Sequence, residues 1–333
     1  MTERAALPTG AGFRFSTEGM TPRAAFDLYH SVFAAGAEAR RESERFKATL
    51  TARPFVRMVI HERWLHDVRH VREAPQVRRT DFSHLTLTLC LAGRVTGRSG
   101  DAALAIGPGE MLLLDLRYPA TLLMSAAHVL TVAVAREVVE AAVGDATRFH
   151  ARVFDAAATA PLLRYLSDLL RAPGPPPPAA PPPYQIVSDH LAAMVSDAAD
   201  RPARRIKGQR LLLAHGAIEA GLDDPDFGAG TLARQLGISR ASLYRLFEPL
   251  GGVDRHLTAR RIGRLTRMLA DPGEHASFAT LVERAGWASE SHASRVFLER
   301  IGERPGAFRR RFGTLSAAEL AAVTMRSWSN ELR

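Results

Sequence analysis

Two stretches of the chain repeat one another, and that repetition limits the possible folds more than any other feature. Residues 232–247 read LARQLGISRASLYRLF, and residues 281–297 read LVERAGWASESHASRVF. The second copy carries one extra residue after its glycine. Each copy has the pattern of two helices joined by a tight turn. The first helix directs Leu232 and Leu236, or Leu281 and Ala285, toward a core. Gly237 or Gly286 then stands where the backbone can turn with positive φ. Ile238 or Trp287 plugs the angle between the helices, and Ser239 or Ser289 is a natural N-cap for the second helix. That second helix buries Leu243, Leu246 and Phe247, or Val296 and Phe297, and keeps a polar face free. A free polar helix presented in this way fits a DNA major groove.

Charge supports a polyanionic partner. The 333 residues carry a formal net charge of +9, and of 44 Lys and Arg only Lys47 and Lys207 are lysines. Residues 231–313 hold 15 arginines against 8 carboxylates, so most of the excess lies where the repeated motif lies. With 46% hydrophobic residues the chain has enough apolar material for a sizeable core, which excludes a wholly disordered protein. The lone Cys90 cannot form an internal disulfide or a cysteine-based zinc site, and it reads as a small core residue. The start of the chain has no apolar leader, and no stretch of about 20 apolar residues is long enough to span a bilayer, so a soluble cytoplasmic protein with no membrane partner is expected.

The N-terminal half has a different rhythm. Residues 20–53 read as helix, with Thr21 as N-cap, Pro22 at the first position, and Phe26, Tyr29 and Phe33 on one face. Short strands are expected at 55–60, 64–72, 77–79, 85–89, 102–106, 111–116, 122–124 and 129–133. The Gly107-Pro108-Gly109-Glu110 turn launches one of them. Helices follow at 136–144, 161–171 and 184–199, the last two separated by a proline-rich loop at 172–183. The fold class is therefore α+β: an N-terminal β-barrel or sandwich with flanking helices, which resembles the cupin-like barrel of bacterial regulators in its Gly-Pro-Gly-Glu turn and following apolar strand, and a C-terminal all-α domain with two helix-turn-helix motifs. Boundaries are expected at 1–200 for a sensor and dimerisation domain, 209–313 for a DNA-binding domain and 314–333 for a tail, with a basic hinge at 201–205. Residues 85–91 and 111–114 are candidates to line a ligand pocket.

The Leu-Gly-Ile-Ser-Arg turn ending at Arg240, the Leu-Tyr-Arg-Leu-Phe helix ending at Phe247, the segment from Arg260 to Leu269 and the Ile301–Arg309 stretch together resemble the AraC/XylS family of bacterial transcription regulators. The likeness covers roughly 209–311, and Phe15-Ser16-Thr17 is similar to the opening of a subgroup whose relatives respond to small aromatic acids, aldehydes or amines. It departs from the family pattern at His292-Ala293 and Arg304. The resemblance implies a sequence-specific regulator that binds double-stranded promoter or operator DNA, takes a small and possibly aromatic effector in its N-terminal domain, and acts as a homodimer, with RNA polymerase a further candidate partner. It implies base contacts by Ala241, Tyr244 and Arg245 from the first recognition helix, and by Glu290, Ser291 and Arg295 from the second with His292 and Ser294 beside them. Arg240 and Arg261 are expected on phosphates. A linker helix at about 257–270 would span about 20 Å, enough to help set the motifs in adjacent grooves about 34 Å apart.

No catalytic residues, cofactor or metal are expected. The alternative is a metal-dependent cupin enzyme fused to a DNA-binding module. It would need a His-x-His pair with a following Glu, whereas the barrel region offers only His84 and Glu110, and His61, His66 and His70 have no second ligand at suitable spacing. A ligand-free architectural DNA-binding protein is a third reading, against which the long N-terminal half argues.

Overall fold

The computed structural model describes residues 12–332 except 34–36, 81, 175, 178–179, 196–201, 272 and 316. It divides into two compact units. One comprises Met1–Gly208 with Ala317–Arg333, and the other Gln209–Ser316.

The first unit is built on one antiparallel sheet of nine strands. These are β1 (Phe13–Ser16), β2 (Glu38–Arg41), β3 (Lys47–Phe55), β4 (Met58–Arg72), β5 (Leu85–Ser99), β6 (Ala102–Ile106), β7 (Met111–Asp115), β8 (Ala120–Val134) and β9 (Arg152–Phe154). The main path runs β1-β3-β4-β8-β5-β7-β9, with β2 on β4 and β6 on β5. Strands β4, β5 and β8 each run fifteen residues and form the spine of the cupin-like architecture. The bend in β5 is marked by register shifts between Cys90 and Ala92 and between Arg94 and Val95. Gly93 between them has φ +76°, and a Cβ there would stand 1.8 Å from the Ala126 carbonyl oxygen, so only glycine fits.

Helices α1 (Pro22–Phe33), α2 (Ala74–Thr80), α3 (Arg136–Val143), α4 (Ala156–Arg171) and α5 (Pro183–Met194) flank this sheet in sequence. Several expectations are corrected here. The helix expected over 20–53 ends at Phe33, and the remainder supplies β2 and β3. The strand expected at 55–60 is a hairpin: Phe55 pairs with Met58, and Arg57 takes φ +59° in the two-residue turn. The sequence hides this turn because no Asn-Gly or Asp-Gly marks it. Arg57 is buried instead, with its Nε donating to the Glu137 carboxylate at 2.5 Å. The strand expected at 77–79 is α2, opened by Pro75 and by the Glu73 N–H donating to Gln76 Oε1. The two short strands expected at 122–124 and 129–133 are one continuous β8. The expected extension of α5 to residue 199 lies outside the described residues.

The second unit holds α6 (Pro202–Gly221) from Gln209 onward, α7 (Ala229–Gln235), α8 (Arg240–Phe247), α9 (Val253–Ala270), α10 (Phe278–Arg284), α11 (Glu290–Ile301) and α12 (Pro305–Phe312). The basic hinge expected at 201–205 is replaced by the start of α6, with Pro202 in the first turn where a missing N–H costs nothing. Leu211, Ile218, Leu232, Leu243, Phe247 and Leu257 share a core that joins α6 to the first motif and to α9. The last helix, α13 (Ala317–Glu331), belongs to the first unit and packs on α1. Of the segment expected as a C-terminal tail at 314–333, Ala317–Arg333 belongs to the sheet-bearing unit and Ala317–Glu331 of it is helix. Its Leu320, Met325 and Trp328 are buried, and each such side chain stabilises by about 1.5–3 kcal/mol relative to exposure.

Candidate nucleic-acid interface and ligand cavity

Both helix-turn-helix motifs form as their sequences dictate. Ser239 Oγ accepts from the Ser242 N–H at 3.2 Å, and Ser289 Oγ accepts from the His292 N–H at 3.3 Å, which caps α8 and α11. Gly237 and Gly286 turn with φ +63° and +76°. At Gly286 a Cβ would meet the Leu222 carbonyl oxygen at 1.9 Å, so the second turn seats directly on the end of α6. Leu243, Leu246, Phe247, Ala293 and Phe297 are buried, whereas Val296 is half-buried.

On α8, Arg240, Ala241, Tyr244 and Arg245 are exposed. The Tyr244 hydroxyl donates to Asp254 Oδ2 on α9 at 2.7 Å, and that hydrogen bond raises the phenol pKa. Arg245 Nη2 reaches Ser242 Oγ at 3.3 Å. On α11, Glu290, Ser291, His292 and Arg295 are exposed and Ser294 is half-buried. The His292 ring stands edge-on to Trp287, 5.2 Å between centroids. Glu290, Ser291, Ser294 and Arg295 share a groove of about 710 Å³ with Arg304, just before α12, and Arg310, in its last turn. Sequence reasoning passed over Arg310, whose signal was the run Arg309-Arg310-Arg311 in the last turn of α12.

Arg261 is placed differently from expectation. It is half-buried, and its guanidinium donates to the backbone carbonyls of Leu222, Asp224 and Phe227 at 3.5, 2.9 and 2.9 Å. Burial lowers its pKa, with Asp224 opposing. Nε and Nη2 are thus spent on backbone carbonyls, and Arg261 fastens the segment after α6 to α9. Arg260 is likewise buried, paired with Glu219 at 2.7 Å. Helix α9 has 18 residues and so spans about 27 Å, longer than the sequence suggested. Leu265 and Leu269 on it are buried.

The first unit encloses a cavity of about 160 Å³. Its polar lining is cationic or neutral: Arg63, Arg72, His61, His70 and His84, with no carboxylate among its described lining residues. A register device on β4 produces this set. His61 and Arg63 alternate onto the cavity, but His70 lies nine residues beyond His61 and would face the opposite side of a regular strand. Asp67 takes φ +53° between them, so His70 and Arg72 return to the same face. Ser43 Oγ donates to the Asp67 carboxylate at 2.5 Å, and the Glu42 N–H donates to its backbone carbonyl at 2.8 Å. Of the three histidines of β4 considered as metal ligands, His61 is buried, His70 half-buried and His66 exposed. From the runs expected to line a pocket, Thr86, Thr88 and Leu114 do so.

Arg63 donates from Nη2 to Thr131 Oγ1 at 2.8 Å, while its Nε and the Nε2 of His61 are buried without a hydrogen-bond partner. Arg72 donates to the Leu116 carbonyl and to Thr80 Oγ1. Burial, then Arg63 and His84, push His61 down to about 3, and burial with Arg63 does the same to His70. Both imidazoles are therefore neutral near pH 7, and Arg63 and Arg72 bring positive charge to the cavity. Tyr29, hydrogen-bonded to His70 at 2.7 Å, is pushed up to about 12 by burial, with Arg63 opposing, and keeps its proton.

Ser99, His150 and Asp115 lie together, but their hydrogen bonds run the wrong way for a hydrolase triad. The Asp115 backbone N–H donates to His150 Nδ1 at 3.1 Å, so the ring proton sits on Nε2 and points to Ser99 Oγ at 2.8 Å. The Ser99 hydroxyl donates in turn to the Pro119 carbonyl at 2.6 Å. An Nε2 that carries a proton cannot act as base toward that serine. Burial alone would raise the Asp115 carboxyl, but hydrogen bonds from Arg117 and Arg136 outweigh it and hold the group below its ordinary value. Among the described residues no cluster of three or more His, Cys, Asp or Glu is placed to hold a metal, so the metal-dependent enzyme reading gains no support. No described helix is long and apolar enough to cross a membrane.

A sheet-bearing unit with a charged cavity and a helical unit with two capped recognition helices define a ligand-sensing, DNA-binding transcription regulator. The family comparisons agree with that class. Residues 28–198 match the AraC-binding-like domain and residues 232–311 match the helix-turn-helix domain, and the chain belongs to the AraC/XylS family. The AraC-like transcriptional activator CuxR is similar in fold, with 23% identity over 75% of this chain and 93% of its own and a TM-score of 0.51. An AraC-type transcriptional regulator from Chromobacterium violaceum aligns at 24% identity over 32% of this chain and 94% of its own, with a TM-score of 0.29. No curated protein matches the chain by sequence.

Proposed function

We propose that α8 and α11 read operator DNA in consecutive major grooves, under the control of a small single-ring organic acid held in the cavity of the first unit. Arg240, Arg304 and Arg310 serve phosphates in this reading. Ala241, Tyr244, Arg245, Glu290, Ser291 and Arg295 face base edges, with His292 and Ser294 beside them. Arginine can pair bidentately with guanine, and glutamate can accept from cytosine N4. Residues 209–313 act as the DNA-binding domain and 1–200 as the sensor. The protein works in the cytoplasm as a homodimer through the helices that flank the proline-rich loop, α4 and α5, and regulates by altering access or recruitment of RNA polymerase.

The observation that carries the effector class is a cavity with two buried arginines and no carboxylate among its described lining residues. The buried guanidinium of Arg63, whose Nε has no hydrogen-bond partner, selects an anion, because an amine beside it would face like charge. A cavity of about 160 Å³ is close to the roughly 150 Å³ that holds one benzene ring. The apolar flanks Phe33, Phe82, Leu122 and Met124 suit such a ring. Thermal unfolding of the full chain with benzoate and with benzylamine tests it. Benzoate raises Tm in proportion to the logarithm of its concentration above Kd, and benzylamine does not. Stabilisation by benzylamine alone would reverse the assignment.

A further inference from the structure

The helix that follows the DNA-binding module does more than pack against α1. Along α13, Leu320, Ala321, Met325 and Trp328 are buried in the first unit, as is Leu332 just after it. Trp328 stacks on Phe13 with ring centroids 5.6 Å apart, and Arg57 Nη1 donates to the Glu331 backbone carbonyl at 2.6 Å. Arg57 is itself buried and bound to Glu137, so the last turn of α13 is tied to a fixed point. Met325 and Ser329 are one helical turn apart on one face, and both line the cavity that holds Arg63 and Arg72. The opposite walls come from β4, β5, β8 and α1, so side chains more than 190 residues away in sequence from those strands complete the enclosure.

We propose that α13 is a working wall of the effector site, in which Met325 and Ser329 touch the bound acid and limit its size. This rests on the reading of the cavity as an acid site. The polar end of the acid meets Arg63 and His61, whose buried unpartnered nitrogens mark that end, and the apolar end abuts the α13 face. The chain reaches this wall directly from the DNA-binding module, with Ala317 following the second unit's last residue. Effector affinity is therefore a property of the complete chain, and a larger acid must displace the helix to which that module is joined.

The test compares benzoate with 2-naphthoate by titration calorimetry on the full chain. Met325→Ala removes side-chain volume from the wall and is expected to raise the naphthoate-to-benzoate affinity ratio at least tenfold. Ser329→Val narrows the same wall and should move the ratio the other way, at least threefold. It also serves if Met325→Ala does not fold. Leu320→Ala is the control: it weakens the packing of α13 away from the cavity and should leave the ratio within twofold. A ratio unchanged in the folded cavity-facing variants, or moved as far by Leu320→Ala, overturns the assignment of the wall. Binding of neither acid by the unaltered chain overturns the effector reading, and the contacts of Met325 and Ser329 fall with it.

Discussion

The two units use arginine in opposite ways. In the helical unit Arg240, Arg245, Arg295, Arg304 and Arg310 stand in solvent, where a guanidinium keeps its hydration and acts on a polyanion through number and proximity. In the sheet-bearing unit Arg63 and Arg72 are 6% and 3% exposed. There the charge has lost its water and must be matched by particular acceptors or by a ligand. Arg260 and Arg261 show that burial matters more than location. They lie on the linker helix between two DNA-reading motifs, yet both are spent on protein groups. An exposed arginine offers a screened attraction to any phosphate, and a buried one offers an unscreened and selective attraction to one anion.

Salt separates the two modes most strongly. With about six phosphate contacts, operator affinity should fall by about a thousandfold between 50 and 200 mM salt. Benzoate affinity should change less than about twofold over the same range, because its partners are buried. Anisotropy for DNA and calorimetry for benzoate measure both on one preparation. A steep salt dependence for benzoate would mean that the acid binds on the surface.

The next effect is local to the cavity. Arg63→Met keeps the length and apolar stem of the side chain but removes a charged hydrogen-bond donor, a loss of about 1.5–3 kcal/mol or roughly 10- to 150-fold in benzoate affinity. Operator binding without effector should be unaltered. In the helical unit, Arg245→Ala and Arg295→Ala should each cost about 1–3 kcal/mol on a selected operator and much less on a scrambled duplex. Arg261→Ala is the contrast, and should lower Tm while leaving the salt slope of DNA binding intact. Equal losses on both duplexes for Arg245→Ala and Arg295→Ala would remove them from base reading.

The smallest expected effect is a flat pH profile. His61 and His70 sit near 3, well below the ordinary 6.5, so neither changes charge between pH 6 and 8. Benzoate stays ionised and the arginines stay charged, so these groups and the two histidines should together change affinity by less than about twofold across that window. Stability has the opposite sensitivity. Unfolded histidines take up protons below about 6.5 and the folded ones do not, so the stability present above 6.5 is lost as pH falls toward 3, at up to about 1.4 kcal/mol per pH unit for each ring. Chemical denaturation at pH 7 and pH 5 reads this directly.

What the sequence shows of each unit follows from how local its determinants are. The helix-turn-helix motifs rest on contacts within about twenty residues, such as a serine cap, a glycine turn and a plug, so Ser239, Gly237 and Trp287 could be read in order along the chain. The cavity rests on a left-handed residue at Asp67, held by Ser43 and by the Glu42 N–H from another part of the chain. No period-two count reveals that His61 and His70 share a face. The role of Arg261 was hidden for a related reason: a charged residue on an amphipathic helix reads as solvated until the carbonyls at 222–227 are seen to converge on it. The turn at Arg57 and the return of α13 to the first unit depend on partners 80 and 274 residues away.

The central claim is that an acid in the cavity governs DNA binding by the same chain. It is tested most directly by measuring affinity for a duplex selected from a random pool, with and without saturating benzoate, for the unaltered chain and for Arg63→Met. Benzoate is expected to change the operator affinity of the unaltered chain by at least about fivefold, the lower end of ordinary allosteric coupling, whereas Arg63→Met should bind the same duplex but no longer respond at that benzoate concentration. An unaltered chain whose affinity is the same with and without bound benzoate, or an Arg63→Met chain that responds as fully, would contradict that coupling.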